Sequence, residues 1–370
     1  VTIEWIATCP DGTRDVLVAE LSALGAAELR AGHRAVRFTA DLATGYRAHL
    51  DLRTASRLQR VLATAPVDGV PALSAAFSAV DWAARLRPER PYSVQVHLGD
   101  DEARSLGEEA VTAALHRAIA ASPAPPRPDP DGDVTLVAHL HGGVCTLGLD
   151  TAGKALHKRG WRVQGHPAVL KETLAAAILL LAGYDGTEAL HDPMCGSGTM
   201  VIEAAYLALR KSPLIHRKRG EFGFEHHADF DRALWRRVCD EARSRRLPAP
   251  PAPLSGADAD PRFVEVARQG ALRARVEKHL RLSTGRLEDH PAPGPGGLLV
   301  ANLPYGERIG RDLERSYAAI GRALRERYGG WRAALLVPRD GPRDALGLRV
   351  DRAIPLRNGA LPVLLLLTAR

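Results

Sequence analysis

Two segments of this 370-residue chain carry residue types arranged for chemistry: Asp192-Pro193-Met194-Cys195-Gly196-Ser197-Gly198-Thr199 and, further along, Asn302-Leu303-Pro304-Tyr305. An amino group conjugated to a ring is a poor nucleophile, because its lone pair is delocalised. A site that accepts both of its N–H bonds positions the nitrogen and disperses charge as an electrophile arrives. Asn302 offers a side-chain oxygen for one bond and Leu303 a backbone carbonyl for the other. Pro304 biases Leu303 toward an extended backbone, Tyr305 offers a ring for stacking on a base, and Gly306 lets the chain leave. Alone, the tetrapeptide is also compatible with a simple proline turn. Behind the glycine-containing segment it points to methyl transfer onto the exocyclic nitrogen of a base or an amide.

The glycine segment follows a short apolar run ending at Asp192 and leads into a helical pattern from Thr199. Glycines at a strand-to-helix turn permit unusual backbone angles and let a ligand approach the main chain. The dinucleotide fingerprint fails here, since its third position falls on Val201 and no acidic residue follows at the expected offset. No Lys-Ser/Thr pair marks a phosphate loop, so NAD and ATP are disfavoured. A carboxylate at the strand end, Asp192, suits a ligand with a cationic amino-acid moiety such as S-adenosylmethionine. Asp258, in Gly256-Ala257-Asp258-Ala259-Asp260-Pro261, ends the next strand and is placed to accept two ribose hydroxyls. A tight turn at the glycines and a helix cap at Asp260 are the plain alternative.

These residues need a frame that brings strand ends together. From Leu170 the chain alternates strand and helix: a helix over 170–182, a strand to Asp192, a helix from 199 to 209, a strand near 255–258 and a helix over 261–279. A strand over 298–302, a helix over 313–328 and strands over 333–337 and 363–368 complete a doubly wound, mostly parallel sheet. Asn302 then stands at the carboxyl edge, where open α/β sheets bind ligands. Residues 210–254 interrupt this pattern with charge and then proline. Ahead of it the spacing predicts a small α+β unit, with strands over 1–7, 35–40, 46–50, 92–98, 134–141 and 144–149, and helices over 14–24, 52–63 and 102–120. Residues 151–169 read as a basic connector.

Composition sets outer bounds. Apolar content of 45% and charged content of 25% are ordinary for a globular protein. No apolar run reaches membrane-spanning length and no secretory leader is expected at the N-terminus. The four cysteines are scattered without a CxxC pair, which argues against zinc or a disulfide framework and fits a reducing cytoplasm. A formal charge of +7 points toward a polyanion, although the arginine-rich, alanine- and proline-rich composition also follows from a GC-rich genome.

Several segments in this order resemble the bacterial RNA guanine-N2-methyltransferases that carry an N-terminal THUMP domain, most of all the enzymes of 23S rRNA. They are Leu156-His157-Lys158-Arg159-Gly160-Trp161-Arg162, Leu170-Lys171-Glu172-Thr173-Leu174, the Asp192–Thr199 turn, Asp258-Ala259-Asp260-Pro261-Arg262, residues 302–308 and Asn358-Gly359-Ala360. The resemblance implies a ferredoxin-like subdomain over 1–50, a THUMP domain over 51–150, a linker over 151–169 and a Rossmann-like methyltransferase domain over 170–370. It implies S-adenosylmethionine as cofactor, bound by Asp192, Met194, Gly196, Gly198, Thr199 and Asp258, and RNA as partner. Asn302, Leu303, Pro304 and Tyr305 would hold the guanine, and Lys158, Arg159 and Arg308 the phosphates. The chain departs from the family at Leu303, where proline is more common, and at Arg286, where an aspartate usually binds the adenine amino group; Asp289 is assigned that role instead. A tRNA guanine-N2 enzyme, an adenine-N6 DNA methyltransferase and a non-catalytic RNA-binding protein are the alternatives.

Overall fold

The computed structural model describes residues 2–163, 170–289, 291–304 and 313–369. The chain builds two seven-stranded sheets. The first comprises β1 (Ile3–Thr8), α1 (Arg14–Ala23), β2 (Ala27–Ala31), β3 (Ala35–Ala40), α2 (Leu42–Asp51), β4 (Arg57–Pro66), α3 (Gly69–Ser78), β5 (Tyr92–Leu98), α4 (Asp101–Leu106), α5 (Glu108–Ala120), β6 (Val134–His141) and β7 (Val144–Asp150). Its strand order is β2-β3-β1-β4-β7-β6-β5, with β4 antiparallel to both β1 and β7. One sheet therefore runs without a break through residues 3–150.

The second comprises α6 (Glu172–Leu181), β8 (Leu190–Asp192), α7 (Thr199–Ala208), α8 (Arg232–Ser244), β9 (Leu254–Asp258), α9 (Pro261–Arg273), β10 (Leu280–Thr284), β11 (Gly297–Asn302), α10 (Leu313–Arg327), β12 (Trp331–Pro338), β13 (Arg352–Asn358) and β14 (Leu361–Leu367). Strand order is β10-β9-β8-β11-β12-β14-β13. The first five of these are parallel, and β14 enters antiparallel between β12 and β13. The order reverses between β8 and β11, the topological switch point where such sheets open a crevice. The doubly wound sheet expected from the alternating pattern is thus present.

Two expected elements are reversed. Residues 46–50 lie in helix α2, which Asp41 caps by accepting the Thr44 N–H at 2.7 Å. Tyr46 and Leu50, one turn apart, are both buried there. Residues 57–63, expected as helix, form most of β4, because a strand hydrogen-bonded on both edges leaves the chain no freedom to coil. The helix over 102–120 breaks at Gly107, whose φ is +75°, and the helix beginning at Pro261 stops at Arg273 before the edge strand β10. Strands β2, β10 and β13 and helices α3 and α8 had no sequence assignment.

The segment between α7 and β9 does not hang off the second sheet. Phe222, Phe224, Val238, Cys239 and Ala242 join one apolar core with Trp5, Phe38, Tyr46 and Leu58 of the first. The Tyr46 ring meets Phe224 at 4.7 Å and Trp235 at 5.6 Å between centroids. His49 lies in the same core, its Nδ1 donating to Gly45 O at 2.7 Å and its Nε2 lying 2.9 Å from Thr151 Oγ1, and burial pushes its pKa down to about 3. Arg217 of this segment caps three carbonyls of the connector, those of Ala152, Lys154 and Ala155.

A buried arginine locks the connector to both sheets. The Arg159 side chain has no exposed surface. Its Nε donates to Glu203 Oε1 at 3.3 Å, Nη1 to Leu156 O at 2.7 Å and Nη2 to Arg53 O at 2.6 Å. Arg53 in turn donates to Tyr206 O and Lys211 O, and its N–H and that of Thr54 reach Glu20 on α1. The expectation that Arg159 contacts RNA phosphate is therefore corrected: its planar fork is already spent on a carboxylate and two carbonyls. Arg159→Met should destabilise the protein by about 3–5 kcal/mol, because it strands the buried Glu203 charge. Urea unfolding measures this, and a loss below about 1 kcal/mol, the worth of an exposed pair, would contradict it.

Candidate active site

The three residues of β8 are all buried, and Asp192 at its end is 2% exposed. The Asp192 carboxylate accepts the Met194 N–H at 3.1 Å, which starts the turn. Two further bonds clasp the turn to the end of β9: Cys195 N–H donates to Ala257 O at 2.8 Å, and Gly196 N–H to Asp258 Oδ2 at 2.9 Å. The other Asp258 oxygen accepts the Asp260 N–H at 3.0 Å. Each oxygen keeps a further lone pair for a ligand.

The two glycines serve different ends. Gly196 has φ +51°, and a side chain added to it would meet nothing within 4 Å, so it leaves space over the turn. Gly198 has φ +78°, and an added Cβ would stand 2.9 Å from that of Ala267. It is a packing residue that lets the start of α7 close on α9, and it lies outside the cleft lining. Thr199 opens α7 and is buried.

Above this turn lies a cleft of about 600 Å³ lined by Asp192, Met194, Gly196, Thr199, Asp258 and the 302–304 segment. The structure thus gathers both chemical segments of the sequence into one cavity. Asn302 ends β11, paired in parallel with β12. Its Oδ1 is buried and accepts no hydrogen bond among the described residues. Leu303 N–H donates to Leu336 O at 3.0 Å and its side chain enters the core. The Tyr317 hydroxyl on α10 donates to Pro304 O at 3.4 Å. Tyr305 and Arg308 lie outside the described residues. Lys158 is exposed on the connector.

Asp289 is not brought to the cleft lining. It is exposed in a turn closed by its own N–H to Arg286 O at 3.0 Å, and its neighbour Leu287 anchors that turn in the core behind β11. Sequence reasoning assigned no role to Phe263, Lys171, Asn358 or Leu361, which also line the cleft. A signal existed for Asn358: Asn-Gly between two apolar runs marks a hairpin turn, here joining β13 to β14 with Gly359 at φ +64°. Phe263 sits in the first turn of α9, just past the Asp260 cap.

Burial, reinforced by the nearby Asp258, pushes the Asp192 carboxyl up to about 8, against the Met194 N–H that favours its ionised form. Burial also holds the Cys195 thiol well above its usual value, so this residue packs the turn and is no nucleophile. The cleft therefore joins an acidic well beneath a bare turn to an orphan carbonyl-type acceptor. That arrangement can hold an ammonium-bearing ligand next to a group that donates N–H bonds.

The model described as "RMKL-like, methyltransferase domain" matches residues 159–366, and the one described as "RlmL ferredoxin-like domain" matches residues 4–59. The chain is 35% identical over 388 residues to the ribosomal RNA large subunit methyltransferase K/L of Pseudomonas paraeruginosa, covering 98% of this chain and 52% of that protein. It is 34% identical over 370 residues to the protein of the same name from Shewanella sediminis, covering 97% and 52%. The chain thus spans about half the length of the curated relatives it matches. Among solved structures it resembles SMU.472, which was solved in complex with SAH, with TM-score 0.86 and 28% identity over 99% of this chain and 97% of that one.

The raised Asp192 carboxyl has a consequence for the ligand-free protein. Its folded value near 8 lies above the unfolded value of 3.8. The neutral group's contribution is whole below the unfolded value and is lost as pH rises through about 8. Asp192→Asn, which keeps an acceptor for Met194, should therefore gain on the wild type steadily as urea melts move from pH 5 to 8, and level off above. A stability difference independent of pH would sink this assignment.

Proposed function

The chain belongs to the RMKL-like methyltransferase family, and from that premise we propose that it transfers a methyl group from S-adenosylmethionine to the exocyclic N2 of a guanosine in 23S rRNA. The observation that carries this reading is that Asn302, whose buried Oδ1 has no hydrogen-bond partner among the described residues, lines the same cleft as Asp192 and Asp258. An acceptor left bare in a folded protein costs about 1–3 kcal/mol, and an incoming amino group removes that cost.

The residues present fit the cofactor. Asp192 is a buried carboxyl for the ammonium of the methionine end, Gly196 leaves room against the backbone, and Asp258 retains acceptors for ribose hydroxyls. S-adenosylmethionine bound there supplies an electrophilic methyl group. Met194 and Thr199 line the same wall. Asn302 Oδ1 takes one N–H of the guanine amino group and the Leu303 carbonyl the other, with Pro304 and the Tyr317 hydroxyl fixing the segment. Tyr305 stacks on the base. Because N2 lies on the Watson–Crick edge, the base enters unpaired or flipped. No side chain need act as a strong base, since the proton lost after transfer passes to water. Residues 51–150 serve as a THUMP module for RNA, with Lys158 and Arg308 on phosphates, in a protein of the reducing cytoplasm.

Asn302→Ala should lower the transfer rate about 10²–10³-fold, the cost of removing one preorganised polar group at a reacting centre. Calorimetric binding of S-adenosylmethionine should stay unchanged, and full activity would refute the assignment. Nucleoside analysis of fractionated RNA from a strain lacking the protein tests the substrate. N2-methylguanosine should disappear from 23S rRNA; disappearance from tRNA alone would make it a tRNA enzyme, and no loss would overturn the reaction.

A further inference from the structure

Helix α8 presents a comb of guanidinium groups. Arg232, Arg236, Cys239 and Arg243 recur at positions i, i+4, i+7 and i+11, so they share one face. All four line a cavity of about 250 Å³ between α8 and the segment that precedes it. The span from Arg232 to Arg243 is about 16 Å at a helical rise. Lys218 and Arg219 add charge from the other side, and Phe222 and Trp235 form the apolar wall.

This charge is not consumed within the fold. Among the described residues Arg219, Arg232 and Arg236 take part in no ion pair, while Arg243 pairs with Asp240 at 2.8 Å with both side chains largely exposed. Such a pair is worth little and opens readily. Glu225, the acidic residue of the lining, is already committed to the N–H groups of Gly220 and Phe222. Arg217 shows the contrast, since both of its terminal nitrogens donate to connector carbonyls. Trp235 packs its edges on Tyr46 and Phe224 yet remains half-buried.

We propose that this groove is a second RNA-docking surface, in which successive phosphates of one strand lie along Arg232, Arg236 and Arg243 and a base rests against Trp235. Arginine's planar fork matches phosphate oxygens in pairs. An aromatic beside a cationic track is the usual platform for a single strand. The groove belongs to the insertion rather than to the THUMP-like residues or the methyl-transfer cleft. This inference rests on the RNA substrate proposed above.

The test uses the whole protein and a fluorescein-labelled oligouridylate of about twenty nucleotides, longer than one such site. The combined variant Arg232→Ala, Arg236→Ala and Arg243→Ala keeps a helix former at each position. Removing three phosphate contacts should reduce the slope of log affinity against log salt by about 2. In the methylation assay KM for RNA should rise with kcat unchanged, and S-adenosylmethionine binding should not move. A variant with the wild-type slope and KM would overturn the groove and leave the methyl-transfer reading standing. Wild-type protein that bound no RNA would overturn both. Displacement of the oligouridylate by poly-L-glutamate at equal charge concentration would assign the groove to an acidic protein and also overturn the proposal.

Discussion

The pairing of Arg159 with Glu203, out of reach of water, is the constraint on which the arrangement of the halves depends. Glu203 sits one turn into α7, the helix that follows the Asp192–Thr199 turn. Arg159 carries that position across the connector to the Arg53 carbonyl, and Arg53 carries it to Glu20 on α1. A rigid helix, a planar cation and a backbone carbonyl leave little play between the two sheets. Isolated buried charge is costly, so each member is held by the presence of the others. This chain of polar contacts, together with the apolar core that Phe222 and Phe224 share with the first sheet, sets the register between the two halves.

The parallel half was legible because its signals agree with one another. Strands β8, β9 and β11 are short and end in Asp192, Asp258 and Asn302, and Asp260-Pro261 announces the helix that follows. The N-terminal half was harder. Leu58, Val61 and Leu62 are spaced as on a helix, and only pairing with β1 and β7 makes them a strand. Tyr46 and Leu50 alternate as well as they recur, and the Asp41 cap decides between the two. Local pattern runs out where tertiary hydrogen bonding chooses the period.

Charge was legible in amount but not in use. Arg159 and Arg217 sit in basic stretches of the sequence and both prove to be internal fasteners, whereas the arginines of α8 prove to be exposed. Sequence cannot distinguish a guanidinium that meets three carbonyls from one that meets solvent, because the carbonyls come from residues far away in the chain. The two sequence motifs converge on one cleft, whereas Phe263 and Asn358, to which sequence reasoning assigned no role, reach it only through the packing of α9 and the β13–β14 turn.

The shared core of Trp5, Tyr46, Phe224 and Val238 bears on how the chain comes off the ribosome. The first sheet is synthesised first, yet part of its apolar covering is encoded beyond Leu214, after the connector and the first strand of the second sheet. Until that segment emerges, Trp5 and Tyr46 lack the rings of Phe224 and Trp235 that pack on them. Domain-by-domain folding in order of synthesis, the usual course for a chain of this length, is therefore interrupted here. The two halves are separate as sheets but one as a folding unit, and the earlier half waits for the later one.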